Sequence, residues 1–246
     1  MYERGGGLGG LLIRFPALAV VTVFVGVMAF LGSISGQINH VDSLLTFAFV
    51  TNDERVYTEA YPILAQNGDY IGSVYIRPGQ VGQTGMLKQQ QLNDLLVQGW
   101  EVGTFIPQDL TAANGQAPLL IDQAKQQTTN TLGLEPLSLV ISTSYTNLLP
   151  ATVSAIQQMY NALLPRVAGI SNAYNTTPIE KHNLKYVDGD QLSASQIEAS
   201  LRKAREASAW IIIEFQQVGP QANQKLREII PIAKALGFQK FALEQR

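Results

Sequence analysis

From residue 44 to residue 246 the sequence alternates short apolar runs with amphipathic segments, and this alternation restricts the possible folds more than any other feature. Leu44–Val50 (LLTFAFV) and Trp210–Phe215 (WIIIEF) are almost entirely apolar, as is typical of strands that are buried on both faces. Segments with helical periodicity stand between runs of this kind. Repeated strand–helix units predict a parallel sheet, which is either closed as a barrel or doubly wound.

The predicted elements extend over this whole region. The predicted strands are Leu44–Val50, Tyr70–Ile76, Trp100–Ile106, Leu137–Ser142, Val167–Ile170, Leu184–Val187, Trp210–Phe215 and Phe238–Leu243. The predicted helices are Val56–Ala65, Leu87–Gln98, Pro118–Thr129, Ala151–Leu164, Ser193–Ala207 and Ala222–Leu236. Ser193 and Gln196 have the spacing of a capping box. Functional loops follow the carboxyl ends of the strands in both architectures. We therefore expect them after Val50, Ile76, Ile106, Ser142, Val187 and Phe215.

The composition excludes several classes of function. Charged residues make up 15% of the chain, the net charge is −2, and the basic residues are scattered, so nothing resembles a nucleic-acid-binding surface. The chain has no cysteine, which excludes disulfides, thiolate zinc sites and cysteine nucleophiles. Its two histidines are His40 and His182.

The N-terminal region predicts a membrane anchor. Phe15–Ile34 carries no charge and is just long enough for the roughly 20 residues that cross a bilayer core. Arg4 and Arg14 precede it, so the positive-inside rule leaves the N-terminus in the cytoplasm. We predict a cytoplasmic head at 1–14, a transmembrane anchor at 15–36, a linker at 37–43, and an extracytoplasmic domain at 44–246, in the periplasm or at the cell surface. A cleaved signal peptide is the alternative.

A stripe of small residues lies along one face of the predicted anchor. Its members are Thr22, Gly26, Ala29 and Ser33. Small residues allow membrane helices to pack closely, so the stripe is compatible with a homo-oligomer. It is equally compatible with an unpaired helix, because small residues are common in membrane helices.

Several residues between Tyr57 and Thr104 have the spacing of a known family. They are Pro62-Ile63-Leu64, Gly68, Leu92, Leu95, Gly99, Glu101 and Gly103, and the strand Trp210–Phe215 with Gln216 continues the pattern late in the chain. In these positions the sequence resembles the polysaccharide deacetylase superfamily (carbohydrate esterase family 4), from about Leu44 to the C-terminus. The resemblance implies an α/β fold: a distorted (β/α) barrel of seven to eight strands, similar to a TIM barrel.

The resemblance also implies where a catalytic site would lie. Members of this family remove an acetyl group from a glycan with a divalent metal ion, which is held by an aspartate and two histidines. A second aspartate acts as general base and a further histidine as general acid. The corresponding positions in this chain are Ala48 and Phe49 for the aspartates, Phe105 for a metal histidine, Ser142 for the segment of an orienting arginine, and Gln216 for the final histidine.

These replacements predict an inactive relative, a pseudoenzyme. The family mechanism needs three histidines and the chain has two, so we predict no catalytic residue, no metal and no other cofactor. We predict a membrane-anchored module that binds polysaccharide or envelope proteins during cell-envelope or exopolysaccharide assembly. The candidate ligand-binding residues are Tyr145, Trp100, Tyr75, Asp109 and Gln216. Aromatic faces stack well on sugar rings, but Trp100 and Phe105 also suit core packing.

Two alternatives stay open. The domain could be a purely structural subunit of a surface assembly. It could also be a hydrolase with a relocated pair of carboxylates, in the manner of a glycosidase. The carboxylates considered for that role are Asp53, Glu54, Asp109 and Glu214, of which we expect Glu214 to point away from the barrel mouth.

Overall fold

A computed structural model describes residues 43–67, 70–113, 115–166, 169 and 171–241, which belong to one compact unit, Asp42–Arg246. The predicted anchor at 15–36, with Thr22, Gly26, Ala29 and Ser33, lies outside the described residues. So do Gly68 and three residues of the predicted strand at 167–170. Within the described ranges no helix is long and apolar enough to cross a membrane.

The fold is an incomplete parallel β/α barrel. Its strands are β1 (Leu44–Phe49), β2 (Gly72–Ile76), β3 (Glu101–Ile106), β4 (Ser138–Ile141), β5 (Ala162–Pro165), β6 (Val187–Asp188), β7 (Trp210–Phe215) and β8 (Gln239–Lys240). Seven strands pair in the order β5-β4-β3-β2-β1-β7-β6, β8 pairs with β1, and all these pairings are parallel. The predicted barrel of seven to eight strands is confirmed.

Helices cover the outside of the sheet. A π-helical turn, Val56–Ala60, runs directly into α1 (Tyr61–Gln66). The others are α2 (Gln89–Val97), α3 (Ala117–Leu132), α4 (Pro150–Met159), α5 (Ala194–Glu206) and α6 (Pro220–Ala235). The predicted capping box of α5 is confirmed, because the Ser193 amide donates to Gln196 Oε1 at 2.9 Å and the Gln196 amide donates to Ser193 Oγ at 3.3 Å.

The predicted helix Ala151–Leu164 is wrong in its last turn. The helix α4 ends at Met159, Tyr160 has an extended backbone, and Ala162–Pro165 forms β5. The run Ala-Leu-Leu-Pro is apolar throughout, and such a short run fits a buried helical turn as well as a buried strand. Pairing with β4 decides in favour of the strand. The predicted strand Leu184–Val187 also shifts, since β6 begins only at Val187.

The strands alternate between a barrel interior and an outer layer under the helices. The interior cluster includes Ala48, Val50, Tyr75, Phe105, Val140, Leu164, Tyr186, Trp210 and Ile212. On the outer face of β1, Phe47 and Phe49 pack in the larger cluster beneath α1, α2, α5 and α6. Because apolar side chains fill this interior cluster, the barrel is a packed core and not a pore.

Glu101, which matches the family spacing, is a structural residue. It is 1% exposed at the start of β3, where its carboxylate accepts hydrogen bonds from the hydroxyl groups of Ser73 on β2 and Ser138 on β4. A buried carboxylate needs such partners. Two residues further along, Gly103 leaves room for the ring of Tyr75: a Cβ atom there would lie 2.5 Å from Tyr75 Cε1.

Candidate functional site

The carboxyl ends of six strands surround a cleft of about 590 Å³, which we call the mouth cleft. Residues that line it include Asn52, Arg77, Phe105, Ser142, Arg166 and Gln216. They follow or end β1, β2, β3, β4, β5 and β7 respectively. The sequence-based expectation that the loops after Val50, Ile76, Ile106, Ser142 and Phe215 converge is therefore confirmed.

Two further clefts continue the mouth cleft on either side. A cleft of about 780 Å³ shares Asp53, Gln216 and Gln217 with it, and brings in the segment that follows β6 and the start of α6. A smaller groove of about 240 Å³ shares Arg77, Phe105 and Pro107 and runs along α3. Neighbouring clefts share lining residues, and we call the three together the mouth groove.

Apolar side chains occupy the central positions of the mouth. Ala48 is completely buried on the interior face of β1, and Phe49 lies on the outer face, stacked on Trp100 with ring centroids 5.7 Å apart. Phe105 is 5% exposed, forms part of the cleft floor, and lies under Arg77, whose Cζ is 4.9 Å from the ring centroid. Ser142 and Gln216 line the cleft with small or uncharged polar groups.

Arg166 and Glu214 form an ion pair at the inner side of this cleft. Arg166 Nε lies 3.1 Å from Glu214 Oε1, and the Glu214 side chain is 1% exposed. Glu214 shares the interior face of β7 with Ile212 and pairs in register with Ala48 on β1 and Asp188 on β6. The expectation that Glu214 points away from the mouth is wrong, because alternation along β7 places it on the interior face.

Burial raises the pKa of Glu214 from 4.5 to about 7. The charge of Arg166 lowers this pKa, and the nearby charges of Asp188 and Asp190 raise it. The contact with Arg166 is close, but neither Arg166 Nε nor the Glu214 oxygens have a well-aligned hydrogen-bond partner among the described residues. Burial therefore favours the neutral form of this carboxyl group more than the charge of Arg166 favours the ionised form.

Two other carboxylates lie along the groove. Burial raises the pKa of Asp53, but hydrogen bonds and the charge of Arg55 outweigh it and lower the pKa overall. Burial also raises the pKa of Asp190. Its Oδ2 accepts a hydrogen bond of 2.7 Å from the backbone N–H of Gln216. Lys225 Nζ donates to the carbonyl oxygen of Asp190 at 2.8 Å. Asp53 and Asp190 thus organise the loops on either side of Gln216.

Comparisons with known proteins identify the fold through structure and not through sequence. The sequence matches no known family profile and no curated protein. The structure is similar to the carbohydrate esterase family 4 domain of a multidomain xylanase from the hindgut metagenome of Trinervitermes trinervoides, with a TM-score of 0.56 and 15% identity over 82% of this chain and 87% of that one. The chain has the fold of the polysaccharide deacetylases.

Two other solved structures with the deacetylase fold are informative. A family 4 carbohydrate esterase from Streptomyces lividans, in complex with acetate, has a TM-score of 0.55 at 11% identity and covers 81% of this chain and 91% of its own. A mutant of a family 4 pseudoenzyme with restored enzymatic activity has a TM-score of 0.54 at 8% identity, over 81% of this chain and 65% of that chain. The fold therefore occurs both with and without activity.

The mouth of this deacetylase fold does not fit a catalytic metal ion. Ala48, Phe49 and Phe105 present only carbon atoms where the resemblance implies the general base and two metal ligands, and the part of the chain that the structure describes contains no group of three His, Cys, Asp or Glu that could hold a metal. His182 is bonded through Nε2 to the Tyr160 carbonyl at 3.0 Å, two residues before β5 begins, and hence at the opposite end of the strands.

Two of the candidate ligand-binding aromatics lie in the core of the deacetylase fold. Trp100 is 3% exposed at the amino end of β3, packed over Gly72 and against Phe49, because even-numbered positions of β3 face the outer layer. Tyr75 is completely buried inside the barrel. The interpretation of Trp100 and Tyr75 as ligand contacts is therefore wrong, since neither ring is accessible.

The other candidates differ in position. Gln216 lines two of the three clefts. Tyr145 packs against the outer cluster beside α4, and Asp109 accepts hydrogen bonds from Thr111 and Thr143. Neither Tyr145 nor Asp109 lines the mouth groove.

The four carboxylates considered for a relocated active site do not converge in the groove. Asp53 alone among them lines it, and that side chain is paired with Arg55. Glu214 lies behind Arg166 and does not line any of the three clefts. The pair of facing carboxylates that a glycosidase mechanism requires is not formed by these residues.

Sequence reasoning missed the two arginines of the mouth. Arg166 follows β5, and that strand was interpreted as the end of a helix, so its carboxyl end was not recognised as part of the mouth. Arg77 follows β2, and its signal in the sequence was its position directly after a predicted strand. Each arginine directly follows a strand. Had Ala162–Pro165 been assigned as a strand, the loop with Arg166 would have been predicted at the mouth in the same way as the loop with Arg77.

Proposed function

We propose that this domain binds a glycan in the mouth groove without hydrolysing it. The observation that carries the proposal is the chemistry of the groove. Its three clefts share lining residues, and its polar lining is rich in glutamine side chains, namely Gln80, Gln108, Gln123, Gln127, Gln191, Gln216, Gln217 and Gln221. An amide group both donates and accepts hydrogen bonds, and therefore suits the hydroxyl groups of a sugar.

The size and shape of the groove also support a ligand larger than one sugar. Ligand sites commonly occupy about 300–1,000 Å³, and two of the three connected clefts are individually of that size. An open, elongated depression admits an oligosaccharide that passes through it. The proposal includes the predicted membrane anchor at 15–36, which would display the groove outside the cell in envelope or exopolysaccharide assembly.

The absence of catalysis is the second part of the proposal. Hydrolysis by the mechanism of the family requires a metal-bound water and a general base. The described mouth has Ala48, Phe105 and Gln216 at the corresponding positions, and none of these side chains can serve as a base or as a metal-binding carboxylate or imidazole. Binding remains available to a fold whose catalytic groups have been replaced.

The test is a binding measurement on the full-length chain in detergent, with neutral and acidic glycan oligomers of increasing length. We expect affinity to rise with length until the groove is filled. Gln216→Ala should weaken binding. Gln126→Ala is the control and should leave binding unchanged, because Gln126 on α3 donates to Asp122 and does not line the groove. No binding to any oligomer, or equal loss in both variants, would contradict the proposal.

A further inference from the structure

The mouth cleft carries positive charge in its centre. Its charged lining residues are Arg77, Arg166 and Asp53. The Asp53 carboxylate is paired with Arg55, so its charge is compensated locally. Arg77 has no ion pair among the described residues, and Arg166 is paired with Glu214, a buried residue that does not line the cleft and whose pKa is raised by burial. The cleft therefore has two guanidinium groups and little negative charge to balance them.

Arg77 is held in place for contact with a ligand. Its backbone is fixed by Asn52, whose Nδ2 donates to the Arg77 carbonyl at 3.1 Å and whose Oδ1 accepts from the Arg77 amide at 2.8 Å. Its guanidinium lies over the Phe105 ring, 4.9 Å from the centroid. Stacking on an aromatic face leaves the N–H donors at the guanidinium edge free to point elsewhere.

Arg166 contributes a second fork of donors to the cleft, from the end of β5. A guanidinium has five N–H donors, and among the described residues the ion pair of Arg166 uses one of them, Nε, which faces Glu214. Its side chain is 20% exposed and lines the same cleft as Arg77. Planar guanidinium groups bind carboxylates with particularly favourable geometry.

We propose that the mouth groove is selective for an acidic glycan, and that Arg77 and Arg166 bind the carboxylate of a uronic acid residue in it. This inference rests on the proposed function, since it specifies the class of glycan. A carboxylate suits the cleft because its two oxygens lie in one plane and can accept from the planar N–H fork of a guanidinium.

The experiment compares oligogalacturonides with their methyl-esterified counterparts of equal length, because esterification removes the charge and keeps the sugar backbone. The full-length chain should bind the acid form about tenfold more tightly, or better, and added salt should reduce that preference. Arg77→Gln should abolish most of the preference. Arg202→Gln, on the exposed face of α5, removes the same charge outside the groove and should retain it.

Arg166→Gln alone would leave Glu214 buried and without its cation, so the informative variant is Arg166→Gln with Glu214→Gln. This double variant should also lose the preference while remaining folded by circular dichroism. Equal affinity of the unmodified chain for the acid and the ester, with both bound, would overturn the inference and leave the proposed function standing. If the chain binds neither the acid, nor the ester, nor any neutral oligomer, both the inference and the proposed function are overturned. Binding of a neutral oligomer without binding of the acid overturns the inference alone.

Discussion

Arg166 Nε lies 3.1 Å from Glu214 Oε1 in the barrel interior, and Glu214 pairs in register with Ala48 on the neighbouring strand. The resemblance implies an aspartate at the position of Ala48, and in this structure the carboxyl group of Glu214 on the adjacent strand lies against an arginine. The positive charge of this region is supplied by side chains of the chain itself.

The first prediction concerns the pH dependence of stability. Burial raises the pKa of Glu214 to about 7, above its ordinary 4.5, so between these values the native state retains a proton that the unfolded chain has lost. The contribution of this group to the free energy of unfolding therefore falls as the pH rises from about 4.5 to 7, by roughly 3 kcal/mol for a shift of this size.

Glu214→Gln should remove this contribution. Urea denaturation of both proteins at pH 5 and pH 8 measures it, and the variant should lose less stability than the unmodified chain over that interval. An identical loss in both proteins would show that Glu214 ionises in the folded state as readily as in the unfolded one.

The second prediction separates core aromatics from groove residues. Trp100→Phe should lower the free energy of unfolding by about 1–2 kcal/mol, because the indole fills the space over Gly72 and beside Phe49. Glycan affinity of the folded variant should be unchanged, as measured by calorimetry. A selective loss of affinity at unchanged stability would place Trp100 in the binding site after all.

The third prediction concerns the glycine that accommodates Tyr75. A Cβ atom at Gly103 would come within 2.5 Å of the Tyr75 ring and 2.6 Å of Ser138 Oγ. Gly103→Ala should therefore destabilise the fold by about 1–3 kcal/mol. Gly79→Ala is the control, because nothing lies within 4 Å of a Cβ atom there. Equal melting temperatures for the two variants would contradict the packing described for the barrel interior.

The fourth prediction is that two histidines do not rebuild a metal site in this mouth. The resemblance implies a second metal-binding histidine four residues after the one at Phe105, which by counting falls at Asp109, in a segment two residues shorter than that of the family. Phe105 lies at the cleft floor, but Asp109 lies outside the groove, hydrogen-bonded to Thr111 and Thr143. The variant Ala48→Asp/Phe105→His/Asp109→His should bind no stoichiometric zinc by elemental analysis. Stoichiometric zinc would show that the loop after β3 adopts the family geometry.

The sequence predicted the barrel because its strongest signals were long and periodic. Trp210–Phe215 has the same bounds in the structure as in the prediction, and the capping box at Ser193 begins α5 as expected. The prediction failed at Ala162–Pro165, where four apolar residues lack a period and only pairing with β4 defines a strand.

The site was predictable in location and less so in its residues. Parallel strands end at one edge, so the loops could be named before their contacts were known. The exposure of individual side chains could not be predicted. Trp100 and Tyr75 are buried because of the strand faces on which they lie, and those faces depend on register and on the curvature of the sheet. Asp109 and Tyr145 follow predicted strands, but their loops turn outward onto the α4 side.

The most direct test of the account measures binding and acetate release in the same sample. The full-length chain, supplied with zinc, is incubated with acetylated glucosamine oligomers and with oligogalacturonides, and bound glycan and free acetate are both quantified. The account predicts saturable binding of glycan, no acetate above the level of a heat-denatured control, and no retained zinc. Steady release of acetate would contradict it, and so would a folded protein that binds none of these glycans.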